Sequence, residues 1–404
     1  MSERHVISTR NARLSLTVSF LSDLTFILPI WLLFGVDELG LSLTMTTALF
    51  MSVWLVSGLL EIPTGALADR LGRKKMFIVG AALLALYPIG YIYELPLLTI
   101  FVLSLLSALG SALRSGTLIP LTYASYKLEN RSDADYHNFL STNNTLLFIA
   151  RALSGVVGGL LYAYNPHAPY VAIFVAYLCI IAVGFFLIDV GERSTLSNRA
   201  HISDTVKALV SKRLIVMLLG TYIAYQIVGE AIWTAYQPFF KDDGLNALQI
   251  GIIFTTIATI SALGAFSTRF IMRKVGVLLI ELLVSVMVLA TALLLLLPSQ
   301  LIHIIAIIPS AFAFGVSLTP ITATVQKYLA TTYHSTALSI VSVAQYCTYG
   351  FAALYISKTI DLFGVDTTRR ILFIEALVVT GILAVIYLYQ RKNDEIITPK
   401  EISH

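Results

Sequence analysis

The chain has 404 residues, of which 57% are hydrophobic and only 12% charged, with a formal net charge of +4. Soluble domains carry roughly 25% charged residues, and so apolar a composition cannot be buried by folding in water, which makes lipid the solvent. The sequence holds no Gly-rich phosphate loop and no soluble nucleotide-binding segment, so the energy is expected to come from an ion gradient, the substrate's own gradient, or nothing at all.

A spanning helix needs about 20 apolar residues, and all its backbone amides must be bonded within it. Twelve such runs are predicted, at 14–36, 42–62, 76–93, 96–123, 139–163, 169–188, 213–236, 246–267, 276–297, 301–325, 336–357 and 371–389. The thinnest divisions are "YELP" between spans 3 and 4 and "LPSQ" between spans 9 and 10. Span 1 is long and lacks a small-residue cleavage pattern, so it reads as a true crossing rather than a signal peptide. Cys179 and Cys347 both fall inside spans, which suggests neither a disulfide nor a metal site. The expected fold class is all-α integral membrane. Residues 1–188 form an N-terminal six-helix bundle, 189–212 a polar and partly helical cytoplasmic linker, and 213–404 a C-terminal six-helix bundle with a short tail.

Basic residues orient the chain. With the N-terminus inside, 21 of the 27 Lys and Arg fall on the cytoplasmic side and only Lys241, Lys358, Arg369 and Arg370 on the other. Both termini are therefore expected in the cytoplasm. The positive balance is an orientation signal, not a nucleic-acid footprint.

Between spans 2 and 3 lies a charged stretch, "EIPTGALADRLGRKK", and part of it recurs. "GALADRLGRKK" (65–75) aligns with "GAFSTRFIMRK" (264–274) at an offset of 199 residues. Gly65, Ala66, Arg70 and Lys75 match Gly264, Ala265, Arg269 and Lys274, while Thr268 replaces Asp69 and Ile271 replaces Gly72. Both copies follow the second span of a six-span half, which indicates a parallel repeat.

"GALADRLGRKK" closely resembles the signature loop of the major facilitator superfamily, G-x-L-A-D-R-x-G-R-K. The preceding "EIPTG" looks like the form common among its 12-helix drug:proton antiporters. The resemblance implies two six-helix bundles rocking around a cavity lined by spans 1, 4, 7 and 10. It also implies a conformational latch formed by Glu61, Gly65, Asp69, Arg70, Gly72 and Arg73. Gly65 and Gly72 permit close approach and a left-handed turn, Pro63 disrupts the helix end, and Asp69 can accept bonds from basic groups or cap a helix. Lys74 and Lys75 read as positive-inside anchors. Glu61 is open between extending the latch and joining a proton path. One departure stands in span 5: drug antiporters often carry G-P-x-x-G-G, whereas "SGVVGG" (154–159) puts Gly155 at the proline position.

Charges inside spans cost several kcal/mol and point to function. Asp23 lies about 14 Å into span 1, Arg114 at a similar depth in span 4 and Arg151 about 18 Å into span 5, so the three suggest one polar centre. Asp23 is the candidate proton site, or else the partner of Arg114 in a static pair. Arg114 sits in "ALRSG", roughly where the family carries its span-4 arginine. Arg151 can face Asp23, a substrate anion or the seam between spans 4 and 5. In span 7, Tyr222, Gln226, Glu230, Trp233 and Gln237 are spaced 4, 4, 3 and 4, one helical face with no reason to meet lipid. Glu230 there can bind a cationic substrate group, serve as a second proton site or act as an outer gate. Span 11 carries a softer stripe of Ser335, Ser339, Ser342, Tyr346 and Tyr349, which either lines the cavity or packs closely. His167, His303 and His334 fall near span ends, so proton coupling rests on carboxylates.

Taken together, the chain is expected to be a secondary transporter of the bacterial inner membrane and not an enzyme. It exports amphiphilic antibiotics or toxins against protons, including an anionic, zwitterionic or peptide-like self-immunity substrate. Its partners are a small molecule, protons and the bilayer; it needs no cofactor or metal beyond the proton gradient, binds no nucleic acid and works as a monomer. The alternatives are a proton-coupled importer of a small anionic nutrient, favoured by two buried arginines against one acid, and a transporter-like receptor or lipid-handling scaffold.

Overall fold

The computed structural model describes residues 6–115, 117–190, 199–328 and 334–392. Every regular element among them is an α-helix, as lipid demands of a chain with no closed barrel. Among the described residues, ten helical stretches are long and apolar enough to cross a membrane. The first predicted span is missing from those ten because its helix is broken in two. The last two spans count once, because α15 (His334–Lys392) runs through both and bends at Gly364, φ 76°. The helices of the described residues thus cover all twelve predicted spans.

The break in span 1 differs from the continuous helix expected over 14–36. The first helix, α1 (Val6–Ser22), stops at Ser22, and α2 (Trp31–Asp37) starts nine residues later. Pro29 supplies the reason. In a continuous helix its ring would clash with the Thr25 carbonyl, and it has no N–H to donate. The intervening residues turn instead through Thr25 N–Asp23 O (2.8 Å), Leu28 N–Thr25 O (2.9 Å) and Ile30 N–Ile27 O (2.9 Å).

The second predicted span errs the other way. Its helix, α3 (Leu43–Leu71), continues nine residues past Ile62, through Pro63 and most of the charged signature. Pro63 is accommodated because the Thr64 hydroxyl bonds the Leu60 and Ala112 carbonyls at 2.7 and 3.0 Å, a familiar remedy for prolines in membrane helices. The left-handed turn expected at Gly65 and Gly72 occurs only at Gly72, φ 99°, immediately before α4 (Arg73–Leu84).

The remaining helices follow the predicted order. Span 3 continues from α4 into α5 (Tyr87–Ile92), and span 4 comprises α6 (Leu97–Ser115) and α7 (Leu118–Leu128). Then come α8 (Asp133–Tyr164), α9 (Ala168–Phe185) and the linker helix α10 (Arg199–Val210). Spans 7 to 10 are α11 (Arg213–Asp242), α12 (Ala247–Ile271), α13 (Val277–Leu294) and α14 (Gln300–Tyr328).

Two compact units emerge. The first comprises Met1–Leu41, Ala48–Leu196 and Asn246–Thr255, the second Ser42–Thr47, Ser197–Leu245 and Thr256–His404. In the first, Val18, Phe77, Ala81, Leu121 and Ile180 form an apolar cluster, and Tyr91 stacks on Tyr170 with centroids 4.7 Å apart. A polar seam joins α1 to α7: fully buried Asn11 and Ser15 meet Ser125 and Thr122 at 2.7 and 2.6 Å. In the second unit one large apolar core unites α11, α13, α14 and α15.

Candidate functional site

In the first unit the polar residues gather at the break in span 1. The Arg151 Nε lies 2.7 Å from Asp23 Oδ1, with the Asp23 side chain 18% exposed and that of Arg151 50%. The carbonyl of Asp23, freed by the end of α1, accepts from Ser154 Oγ at 3.2 Å. Arg114 donates through Nη1 to Ser22 Oγ, while its buried Nε has no partner among the described residues. Tyr177 of α9 is close enough to feel both Arg114 and Asp23. The three span charges thus occupy one neighbourhood, with Arg151 rather than Arg114 on the aspartate. A helix that ends inside the membrane beside a carboxylate and two guanidiniums offers exchangeable polar partners in place of fixed backbone bonds.

Beside this centre, Gly155 and Gly159 of α8 lie directly against α12. A Cβ on Gly155 would meet the Gly251 carbonyl at 2.6 Å, and one on Gly159 the Ala247 carbonyl at 2.7 Å. The glycines of "SGVVGG" therefore allow backbone contact without the family's proline.

In the second unit the α11 stripe is buried. Tyr222, Gln226, Glu230 and Gln237 are 1%, 4%, 6% and 0% exposed. Gln226 Nε2 donates to the hydroxyls of Tyr222 (3.1 Å) and Tyr349 (3.3 Å), and Gln345 Nε2 donates to Tyr222 as well. Glu230 lies near enough to both tyrosines to act on them electrostatically, yet no described residue bonds or neutralises its carboxyl. Trp233 stacks on Phe314 of α14, centroids 6.0 Å apart at 7°. A cavity of about 30 Å³, lined by Gln226, Gly229, Trp233, Tyr236, Ser310 and Phe314 among others, lies between α11, α12, α13 and α14. Tyr346 is half-buried on α15, and the side chains of Ser335 and Ser339 lie outside the described residues.

Of the expected latch, Gly65 lies within α3, but the side chains of Asp69 and Arg70 lie outside the described residues. Glu61 is half-buried, with no partner for its carboxyl among the described residues. Arg73 Nη1 donates to the Pro120 carbonyl at 3.3 Å. At Gly72 the neighbour is an acid that sequence reasoning passed over. Asp189 Oδ2 sits 2.7 Å from where a Cβ would stand, and Oδ1 lies 3.5 Å from the Lys74 amide at the start of α4. A carboxylate at that helix N-terminus is electrostatically favourable.

Glu281 of α13 was also missed. It is 2% exposed and accepts from Thr221 Oγ1 through Oε2; among the described residues neither its Oε1 nor the nearby Tyr225 hydroxyl has a partner. The signal was present in the sequence: a lone glutamate in "LLIELLVSV" is as costly as any other span charge.

Apolar helices long enough to cross a membrane, a duplicated signature and charged side chains within the predicted spans of each unit mark a multi-pass membrane protein. Residues 14–353 match the Major Facilitator Superfamily, and the chain belongs to it. Solved structures of similar fold include the nucleoside transporter NupG, with a TM-score of 0.76 and 13% identity over 95% of this chain and 99% of that one. A bacterial homolog of the human lysosomal transporter Spinster gives 0.74 and 13% over 96% and 95%. A D-xylose-proton symporter gives 0.67 and 13% over 94% and 97%. At such identities the likeness is one of fold. No curated protein matches the sequence.

Proposed function

We propose that this protein is a secondary active transporter that exports amphiphilic small molecules, antibiotics or other toxins, in exchange for protons by alternating access. Both chain ends lie in the cytoplasm, and the monomer is the working unit. The observation that carries the reading is the Asp23–Arg151 pair at the broken first span. Protonating Asp23 removes the charge that holds Arg151, and the aspartate carbonyl keeps its Ser154 bond in either state. The break thus couples proton binding to a change of partner without unfolding a helix. Glu230 is a second proton site or the counter-charge for a cationic substrate group. The tyrosine and tryptophan faces of the α11 stripe offer apolar area with few fixed hydrogen-bond demands, which suits amphiphiles. A proton symporter among the proteins of similar fold lends support to proton coupling.

A second reading, import of a small anionic nutrient, is favoured by the buried Nε of Arg114, which has no partner among the described residues, because two guanidiniums against one carboxylate leave a cation to spare. Expression in a pump-deficient host, challenged with drug and toxin panels, separates the two. Export raises resistance to at least one compound class. No resistance, with increased uptake of organic phosphates or carboxylates, overturns export and supports import.

A further inference from the structure

A buried charge cluster lies apart from both candidate sites, at the end of the second unit opposite the chain's last residues. There α11 ends at Asp242, α14 begins at Gln300 and α15 bends at Gly364. Asp243 is the hub. Its Oδ1 lies 2.7 Å from Arg369 Nη2 and its Oδ2 2.7 Å from His303 Nδ1, with the three side chains only 5–9% exposed. Arg369 also reaches the Phe239 carbonyl at 3.4 Å and Asp366 at 3.3 Å, and its guanidinium covers the Phe239 ring at 5.1 Å. Gln300 Nε2 donates to the Asp243 carbonyl at 2.8 Å. The second imidazole nitrogen, Nε2 of His303, lies 2.7 Å from the Leu297 carbonyl.

Counting hydrogens settles the state of the ring. A backbone carbonyl can only accept, and a carboxylate gripped by a guanidinium is ionised and can only accept as well. A neutral imidazole has one N–H, so only the imidazolium can make both 2.7 Å bonds. The charges facing it are Asp243 from the end of α11 and Arg369 and Asp366 from α15, while Lys241 and Asp242 are exposed.

We infer that His303 is a proton-binding site, separate from the transport path, that senses pH at this face and clasps the three connections of the second unit together. Protonated, it ties the turn after α13 to the end of α11, while Arg369 ties in the bend of α15. On losing its proton the ring keeps one hydrogen. It spends that hydrogen on the charged acceptor, Asp243, because charge-assisted bonds are the stronger, and it releases the Leu297 carbonyl. The clasp is thus complete while the ring carries both hydrogens and opens when it loses one.

The test needs no substrate and is independent of the transport reading. Hydrogen exchange of the purified full-length protein in detergent is followed from pH 5 to 8.5, corrected for the intrinsic pH dependence of exchange. Residues 295–303 of the wild type should lose protection about tenfold in one step as pH rises, while 213–238 stay unchanged. The His303→Gln variant, whose amide cannot gain or lose a proton in this range, should show no step. A flat wild-type profile, a step spread over the whole chain, or a step that survives in His303→Gln would overturn the inference. Should that variant fail to fold, the wild-type profile decides alone.

Discussion

The candidate sites of the two units carry their acids in opposite ways. In the first, Asp23 sits at the end of a broken helix, meets Arg151 at 2.7 Å and remains 18% exposed. In the second, Glu230 sits in mid-helix, is 6% exposed and has no cation beside it among the described residues. A paired acid is stable as a charge, and neutralising it leaves a guanidinium seeking another partner. An unpaired buried acid is costly as a charge, and any cation that arrives finds a partner waiting. The first arrangement suits a switch, the second a receptor for a proton or for the positive end of a substrate.

The largest effect expected on this contrast is at the switch. Asp23→Asn should leave a folded protein whose gradient-driven transport is lowered at least about tenfold, or ~1.4 kcal/mol, while substrate exchange without a gradient persists. Adding Arg151→Gln to it should recover stability without recovering coupling. Thermal unfolding of the two singles and the double should then reveal a pairwise term of about 0.5–3 kcal/mol. Additive effects would show that the two side chains do not act together.

Glu230→Gln should behave differently. Removing an unpartnered buried acid should hold or raise the unfolding temperature, where Asp23→Asn lowers it. Transport of cationic compounds should fall more than that of neutral ones, as measured by resistance levels across a charged series. A destabilised Glu230→Gln would mean that the carboxyl is part of the fold rather than of the site.

The smaller effects fall on the network around the stripe. Thr221→Val removes the described partner of Glu281 and leaves a buried acid wholly unsatisfied, a loss of about 1–3 kcal/mol. Tyr349→Phe removes one of two acceptors for Gln226 and should cost about 0.5–1.5 kcal/mol, with a modest change in substrate preference. Reversal of that order would place the Tyr349 hydroxyl, not Thr221, at the centre of the unit's polar packing.

The crossings could be read from the sequence because a run of about 20 apolar residues is itself the physical requirement for spanning. The break at 23–30 could not, since hydropathy weighs side chains and ignores where backbone bonds fail; Pro29 was the one visible sign. The charges after Ile62 suggested that the second helix was over, yet α3 runs on through Asp69 and Arg70 to Leu71, because a helix can leave the bilayer without ending. Within the site, the α11 stripe was legible from its period, which is local. The pairing of Asp23 with Arg151, and that of Asp243 with His303 and Arg369, joins residues 60 to 128 positions apart, and no local pattern encodes such partners. Asn11 and Ser15 were overlooked for another reason: short polar side chains near a chain end look like a tail until a second helix offers them partners.

Transport by the purified protein in liposomes, under an imposed proton gradient and with a compound drawn from the resistance panel, tests the central claim most directly. The wild type should accumulate the compound against its concentration gradient, while Asp23→Asn should only bring it to equilibrium. Uphill accumulation by Asp23→Asn equal to that of the wild type would contradict the assignment of proton coupling to the broken first span.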